Sequence, residues 1–350
     1  MRLARGMKLA ALVATGAMAL AACGGGKSVT GNSSDNSSDK KTIKVGLAYD
    51  IGGRGDKSFN DAAAAGLARV KKDLNVQTNE LSAKANESPA DKEERLRLLA
   101  SNGYNPVVAV GFAYADALTK IAKQFPNVKF GIVDGVVDAP NVNSLVFAEE
   151  QGSFLVGAAA ALKTKTKNVG YIGGCLVPLL QKFQAGYEAG VKAVDPTIKV
   201  QVKYLSNPPS CTGFNDPAAG KTTATGMYQA GADIIYAAAG GSGSGVFQAA
   251  KAANAKAIGV DSDQYQSADP SVRDVIMTSM IKRVDNAVFD FVDKESKGQF
   301  KAGTSVYDLK VDGVGYATSG GQVDDIKSKL DDYKQQIIDG KITVPTKPSS

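Results

Sequence analysis

The chain has 350 residues, a formal net charge of +6, 38 glycines, and neither histidine nor tryptophan. Without histidine, Ser-His-Asp and Cys-His nucleophile systems are excluded and the commonest zinc ligand is missing. The positive charge forms no basic block, which argues against a nucleic-acid partner, and the length suits one large or two medium α/β domains.

In chain order, Arg2, Arg5 and Lys8 precede an apolar run from Leu9 to Ala22. That run is shorter than the roughly 20 residues a membrane-spanning helix needs. A basic start, a short apolar stretch and small residues before a cleavage point make a secretory signal over 1–22. Leu20-Ala21-Ala22-Cys23 resembles a bacterial lipobox, in which the cysteine is lipidated and becomes the new N-terminus. Cys23 is therefore the expected lipidation site, and the protein is expected on the outer face of the cell membrane. Residues 23–41, rich in Gly, Ser, Asn, Asp and Lys, read as a flexible tether. Cys175 and Cys211 remain, and outside the cytoplasm such a pair is most simply a disulfide.

From Thr42 strands and helices alternate, the pattern of parallel sheets in an α/β fold. The expected strands are Lys44–Tyr49, Pro106–Gly111, Phe130–Asp134, Asn143–Phe147, Asn168–Ile172, Lys199–Tyr204, Ile234–Ala239, Ala257–Asp261 and a crossing strand Val275–Met280. Helices are expected over Asn60–Leu74, Asp91–Ser101, Ala113–Gln124 and about Leu180–Val194. An internal repeat relates the halves. Val45-Gly46 and Val169-Gly170, Phe59 and Phe183, Gly66 and Gly190, and Val70 and Val194 share one offset. Ile132-Val133-Asp134 likewise matches Gly259-Val260-Asp261, and Gly103–Gly111 matches Gly231–Gly240. The expectation is two doubly wound parallel-sheet lobes with a ligand cleft between them, at the carboxyl ends of the strands. The boundaries read as 42–147 plus 279–306 for the N-terminal lobe and 148–278 plus 307–345 for the C-terminal lobe.

The candidate residues lie just after strands. Gly52, Gly53 and Gly55 permit a tight loop, and Ser58 with Asp61, or Asn60 alone, can cap the next helix. Phe59 stands at a strand-to-helix corner where a planar ligand could stack, with the Asn60 amide beside it. Equally, both could serve the helix start alone. Asp134 and Asp261 end matching strands, where a carboxylate can accept from vicinal hydroxyls or a base N–H, or cap a helix. Gly240-Gly241-Ser242-Gly243 fits neither a P-loop nor a dinucleotide fingerprint. Lys282 could reach the cleft or remain a solvated helix-start lysine.

Asp50-x-Gly-Gly-x-x-Asp56-x-Ser58-Phe59-Asn60, Ala238-Ala239-Gly240-Gly241, Gly259 to Gln264 and Thr278-Ser279-Met280-x-Lys282 together resemble the basic membrane protein family. That family includes PnrA-type nucleoside-binding lipoproteins of ABC transporters. The resemblance implies a type I periplasmic-binding-protein fold with three crossovers and a purine base gripped between two rings. On it, Phe59 is one ring and Asn60 and Asp134 meet the base edge. Asp50, Gly240, Asp261 and Lys282 hold the ribose. The second ring is Phe214, in the Phe-x-Asp-Pro segment, or Phe183. The implied protein is a monomeric, non-enzymatic carrier without metal or cofactor, delivering a nucleoside to an ABC permease. A sugar or other small polar metabolite on the same fold, or a surface sensor or adhesin, are the alternatives.

Overall fold

The computed structural model describes residues 43–84 and 87–348. The signal sequence, Cys23 and the tether lie outside these. The first half contains β1 (Lys44–Ala48), α1 (Phe59–Leu74), β2 (Gln77–Leu81), α2 (Pro89–Ser101), β3 (Val107–Val110), α3 (Ala115–Gln124), β4 (Phe130–Val133) and β5 (Val142–Phe147). The second contains α4 (Glu149–Lys163), β6 (Asn168–Gly173), α5 (Pro178–Val194), β7 (Lys199–Tyr204), α6 (Pro217–Gln229), β8 (Ile234–Ala238), α7 (Gly243–Ala252), β9 (Lys256–Asp261), α8 (Gln264–Ser267) and β10 (Ile276–Lys282). Then follow α9 (Val284–Ser296), β11 (Gly303–Tyr307), β12 (Val314–Tyr316) and α10 (Lys327–Ile338).

Two six-stranded sheets result, ordered β11-β5-β4-β3-β1-β2 and β12-β10-β9-β8-β6-β7. Five strands of one correspond in order to five of the other, which is the duplicated plan of the sequence. All pairings are parallel except β10 with β12. Central strands such as Val107–Val110 are buried along their whole length, as parallel strands covered on both faces must be. The chain crosses between lobes after β5, after β10 and between β11 and β12. The sequence places the second crossing at residue 279. Instead β10, a buried apolar run, stays paired with β9 through Ile281 and with β12 through Lys282. Tyr307 likewise belongs to the first sheet, opposite Phe147.

Two repeated glycines have one physical cause. A Cβ on Gly66 of α1 would lie 2.6 Å from the Asp285 carbonyl of α9, and one on Gly190 of α5 would lie 2.0 Å from the Phe154 carbonyl of α4. In each lobe the first helix crosses a helix that follows a crossover, backbone against backbone.

Candidate functional site

One cavity between the lobes is lined by Asp50, Phe59, Asn60, Asp134, Phe183, Phe214, Gly240, Asp261 and Lys282, so every ligand-contact residue singled out from sequence meets there. Its free space, open mouth included, is ≈ 580 Å³.

The β1–α1 loop is built around Asp56. Its carboxylate accepts the backbone N–H groups of Ser58, Asn60 and Asp61 and the Asn60 side-chain amide. Asp56 thus does the capping expected of Ser58 with Asp61 or of Asn60; the Ser58 side chain makes no cap hydrogen bond. Asp61 instead accepts from Gly55 and Lys57. Asn60 is nearly consumed by the loop. Its amide donates to the Ile51 carbonyl and to Asp56, while Oδ1 accepts the Asp50 N–H. Only the second lone pair of Oδ1 remains for another donor.

Ser58 instead reaches across the cleft. Its Oγ lies 2.8 Å from Asp261 Oδ2 and 3.1 Å from the Val260 carbonyl. Ser262 Oγ donates to the Ser58 carbonyl at 2.8 Å and Gln264 to the Lys57 carbonyl at 3.1 Å. These bonds join a loop of the first lobe to the end of β9 in the second, so the cleft is closed along this side.

Lys282, only 2% exposed, ends β10 and points back into the cleft. Its ammonium donates to Asp134 Oδ2 at 2.5 Å and lies 3.4 Å from Glu149 Oε1. The Phe59, Phe147 and Phe183 rings surround it, with centroids at 5.1, 5.1 and 5.4 Å. Glu149, at the start of α4, is held in turn by Lys182 at 2.8 Å, and Lys182 also donates to the Phe147 carbonyl. Asp134 Oδ1 is buried and has no protein partner. Burial pushes the Asp134 carboxyl up to about 7, and Asp261 and Asp50 up to about 6. Lys282 opposes the rise at Asp134 and Asp261, but one ammonium is shared between these acids and Glu149. The same acids raise the Lys282 pKa against its burial.

The aromatic wall has four members. Phe59 and Phe112 belong to the first lobe, and Phe183 and Phe214 to the second. Phe112 and Phe214 face each other edge-on, with centroids 6.4 Å apart. Phe183 is 3% exposed, whereas Phe214 is half-buried with its ring open to the cavity. Phe112, Asp56, Glu149 and Lys182 were missed from sequence. A signal existed for Phe112, since it follows Gly111, the repeat partner of Gly240. Cys175 and Cys211 form the expected disulfide, with Cα atoms 5.1 Å apart.

The lining residues carry four carboxyls and one ammonium. Such a surface repels phosphates and carboxylates and receives neutral ligands rich in hydroxyl or N–H donors. Among the described residues, no group of three or more His, Cys, Asp or Glu could hold a metal ion.

Residues 43–348 match the family model described as ABC transporter substrate-binding protein, PnrA-like. The chain is 38% identical over 325 residues to the ABC transporter nucleoside-binding protein BmpA of Lactococcus lactis, covering 88% of this chain and 90% of that one. It is 36% identical to the CD4+ T-cell-stimulating antigen of Listeria innocua, with 98% of each chain covered. A solved solute-binding protein of an ABC transporter system from Aeropyrum pernix superposes with a TM-score of 0.75 at 30% identity, covering 88% of this chain and 94% of the other.

Proposed function

The chain belongs to the PnrA-like family of ABC transporter substrate-binding proteins, and on that premise we propose that it captures a nucleoside, with a purine base, and delivers it to an ABC permease. The observation that carries this reading is the cavity lining, with phenylalanines from both lobes, four carboxyls and one lysine around one space. A base offers a flat face for the rings, and ribose offers vicinal hydroxyls for the carboxylates. In this assignment Phe59 and Phe214 stack on the base. Asp134, through its unpartnered Oδ1, and Asn60, through Oδ1, receive base donors. Asp50, Gly240, Asp261 and Lys282 hold the ribose. The acid-rich lining turns away nucleotides, whose phosphates would meet four carboxyls.

Binding works through closure. Each lobe contributes part of the lining, so ligand contacts are complete only in the closed form and shift the balance toward it. Cys23 is the proposed anchor to the outer face of the membrane, with the 23–41 tether giving reach, and the carrier acts as a monomer. Thermal-shift screening against nucleosides, nucleobases, sugars and amino acids tests the reading. Stabilisation by purine nucleosides above all other classes is expected. Stabilisation by sugars alone would replace it with the sugar alternative.

A further inference from the structure

We propose that the Cys175–Cys211 disulfide is a positioning element of the ligand cleft, holding the Phe214 ring where a planar ligand meets it. This rests on the nucleoside reading of the cleft. Phe214 lies in the connection between β7 and α6, and this connection is tied to the β6–α5 turn. Near β7, Ser206 Oγ donates to the Gly174 carbonyl at 2.7 Å and accepts from the Gly213 N–H at 3.0 Å. Near α6, Ser242 Oγ donates to the Gly213 carbonyl and accepts from the Asp216 N–H. Between Ser206 and Gly213 the chain makes an exposed excursion, Asn207–Ser210, whose hydrogen bonds stay within the loop. The disulfide is what fastens that excursion to the lobe. It leaves Cys211 7% exposed and Cys175 fully buried.

The fastening acts on the ring directly. The Phe214 N–H donates to the Cys211 carbonyl at 3.4 Å, so the half-cystine and the ring share one tight turn. The ring packs against Gly174, the neighbour of Cys175, where a Cβ would come 2.4 Å from it. Gly213 approaches the same segment, and a Cβ there would lie 2.1 Å from the Gly174 carbonyl. Cys175 also precedes α5, which supplies Leu179, Leu180 and Phe183 to the cavity. One covalent link therefore clips together the two segments that make the apolar wall of the second lobe. Without it the hydrogen bonds at Ser206 and Ser242 still hold Gly213, but the Asn207–Cys211 segment leading into the ring's turn loses its covalent tie to Cys175, and the ring's placement beside Gly174 loosens. A ring that must be immobilised on binding gives up affinity in ordering it.

The test compares the parent, Cys175→Ser/Cys211→Ser, Phe214→Ala and the combined variant. Calorimetry with inosine is one readout, and amide hydrogen exchange over residues 205–216 of the ligand-free protein is the other. The double-serine variant is expected to bind inosine roughly fivefold or more weakly, the lower end of a lost stacking contact. In the Phe214→Ala background the same change is expected to shift affinity by less than about twofold, because coupled residues are non-additive. Exchange over 205–216 is expected to rise while α6 and α7 are unchanged. Unchanged affinity and exchange, or an equal affinity loss in both backgrounds, would overturn the positioning role. If the parent binds no purine nucleoside, the nucleoside reading falls by itself. The exchange comparison then decides this proposal alone: a rise confined to 205–216 upholds it and no rise overturns it. Should the double-serine variant fail to fold, the folded parent and Phe214→Ala are compared instead with the disulfide intact and after its reduction by excess dithiothreitol. The same loss, absent from the Phe214→Ala background, upholds the proposal, and unchanged affinity overturns it.

Discussion

Asp134, directly after β4, and Asp261, the last residue of β9, share the same left-handed backbone, φ 65° and 64°, and both turn a buried carboxyl into the cavity between the lobes. Few residues other than glycine adopt this conformation, and asparagine and aspartate are prominent among them. The turn re-aims the side chain from the sheet toward the cleft, once in each lobe. Duplication thus supplies paired acids facing one cavity.

These acids set a pH dependence. Asp134, Asp261 and Asp50 bind a proton more tightly folded than unfolded, with folded values of about 7, 6 and 6 against an ordinary 3.8. Their contribution to stability is full below about pH 4 and is lost as pH climbs through 6 and 7, at no more than about 1.4 kcal/mol per pH unit for each carboxyl. Asp195, held down to about 2 by Thr197 and Lys167, acts in the opposite sense but only below about pH 4. The ligand-free protein should therefore unfold at higher temperature near about pH 5 than near about pH 8. Nucleoside donors favour the ionised acids, so binding should strengthen over the same rise. It should also release protons, measurable by calorimetry in buffers of different ionisation enthalpy.

Phe59→Ala should weaken nucleoside binding by about 5- to 150-fold, the equivalent of roughly 1–3 kcal/mol of stacking per base. The unfolding transition of the free protein should hardly move, since the ring is only half-buried. Asp261→Asn should weaken nucleosides more than free bases. Titration of both variants with inosine and hypoxanthine separates the base contact from the ribose contact.

Lys282→Met should destabilise the fold. Its ammonium is the shared partner of buried Asp134 and Glu149, and removing one partner of such a pair costs about 3–5 kcal/mol. Denaturant unfolding should show this loss near about pH 8 and a smaller one near about pH 5.5, where Asp134 takes up a proton instead. Asp134→Asn in the same chain should recover part of it.

Ser58→Ala should shift the free protein toward an open form. It removes a hydroxyl that bridges the lobes at Asp261, and a hydrogen bond to a charged group is worth about 1.5–3 kcal/mol. Small-angle scattering should give a larger radius of gyration for the ligand-free variant, restored by saturating nucleoside. An unchanged radius would show that Ser262 and Gln264 suffice to hold this side shut.

Much of this was legible in sequence because duplication and strand punctuation leave local traces. Gly66 and Gly190 stand out by shared offset, and the structure gives each a carbonyl contact that forbids a side chain. The strands ending in Asp134 and Asp261 read as buried apolar runs closed by an acid. Less legible were β2 (Gln77–Leu81) and β11 (Gly303–Tyr307), edge strands without the apolar run of a central strand. Helix α4 (Glu149–Lys163) is buried along most of its length, which blurs any helical stripe. Asp56 and Glu149 went unassigned because their roles depend on partners: a loop folded round one carboxylate, and two lysines from distant elements around the other. Asn60, read as a residue free to donate and accept, has both its N–H groups committed within the loop.

The central claim is that the cleft takes a neutral nucleoside between aromatic rings and acids. Isothermal titration of the protein with inosine and with inosine 5′-monophosphate tests it most directly. One nucleoside should bind per chain, with the monophosphate at least about 100-fold weaker, a penalty of roughly 2.7 kcal/mol for bringing its charge among the carboxyls. Failure of inosine, adenosine and guanosine alike to bind, or equal affinity for nucleoside and nucleotide, would contradict it.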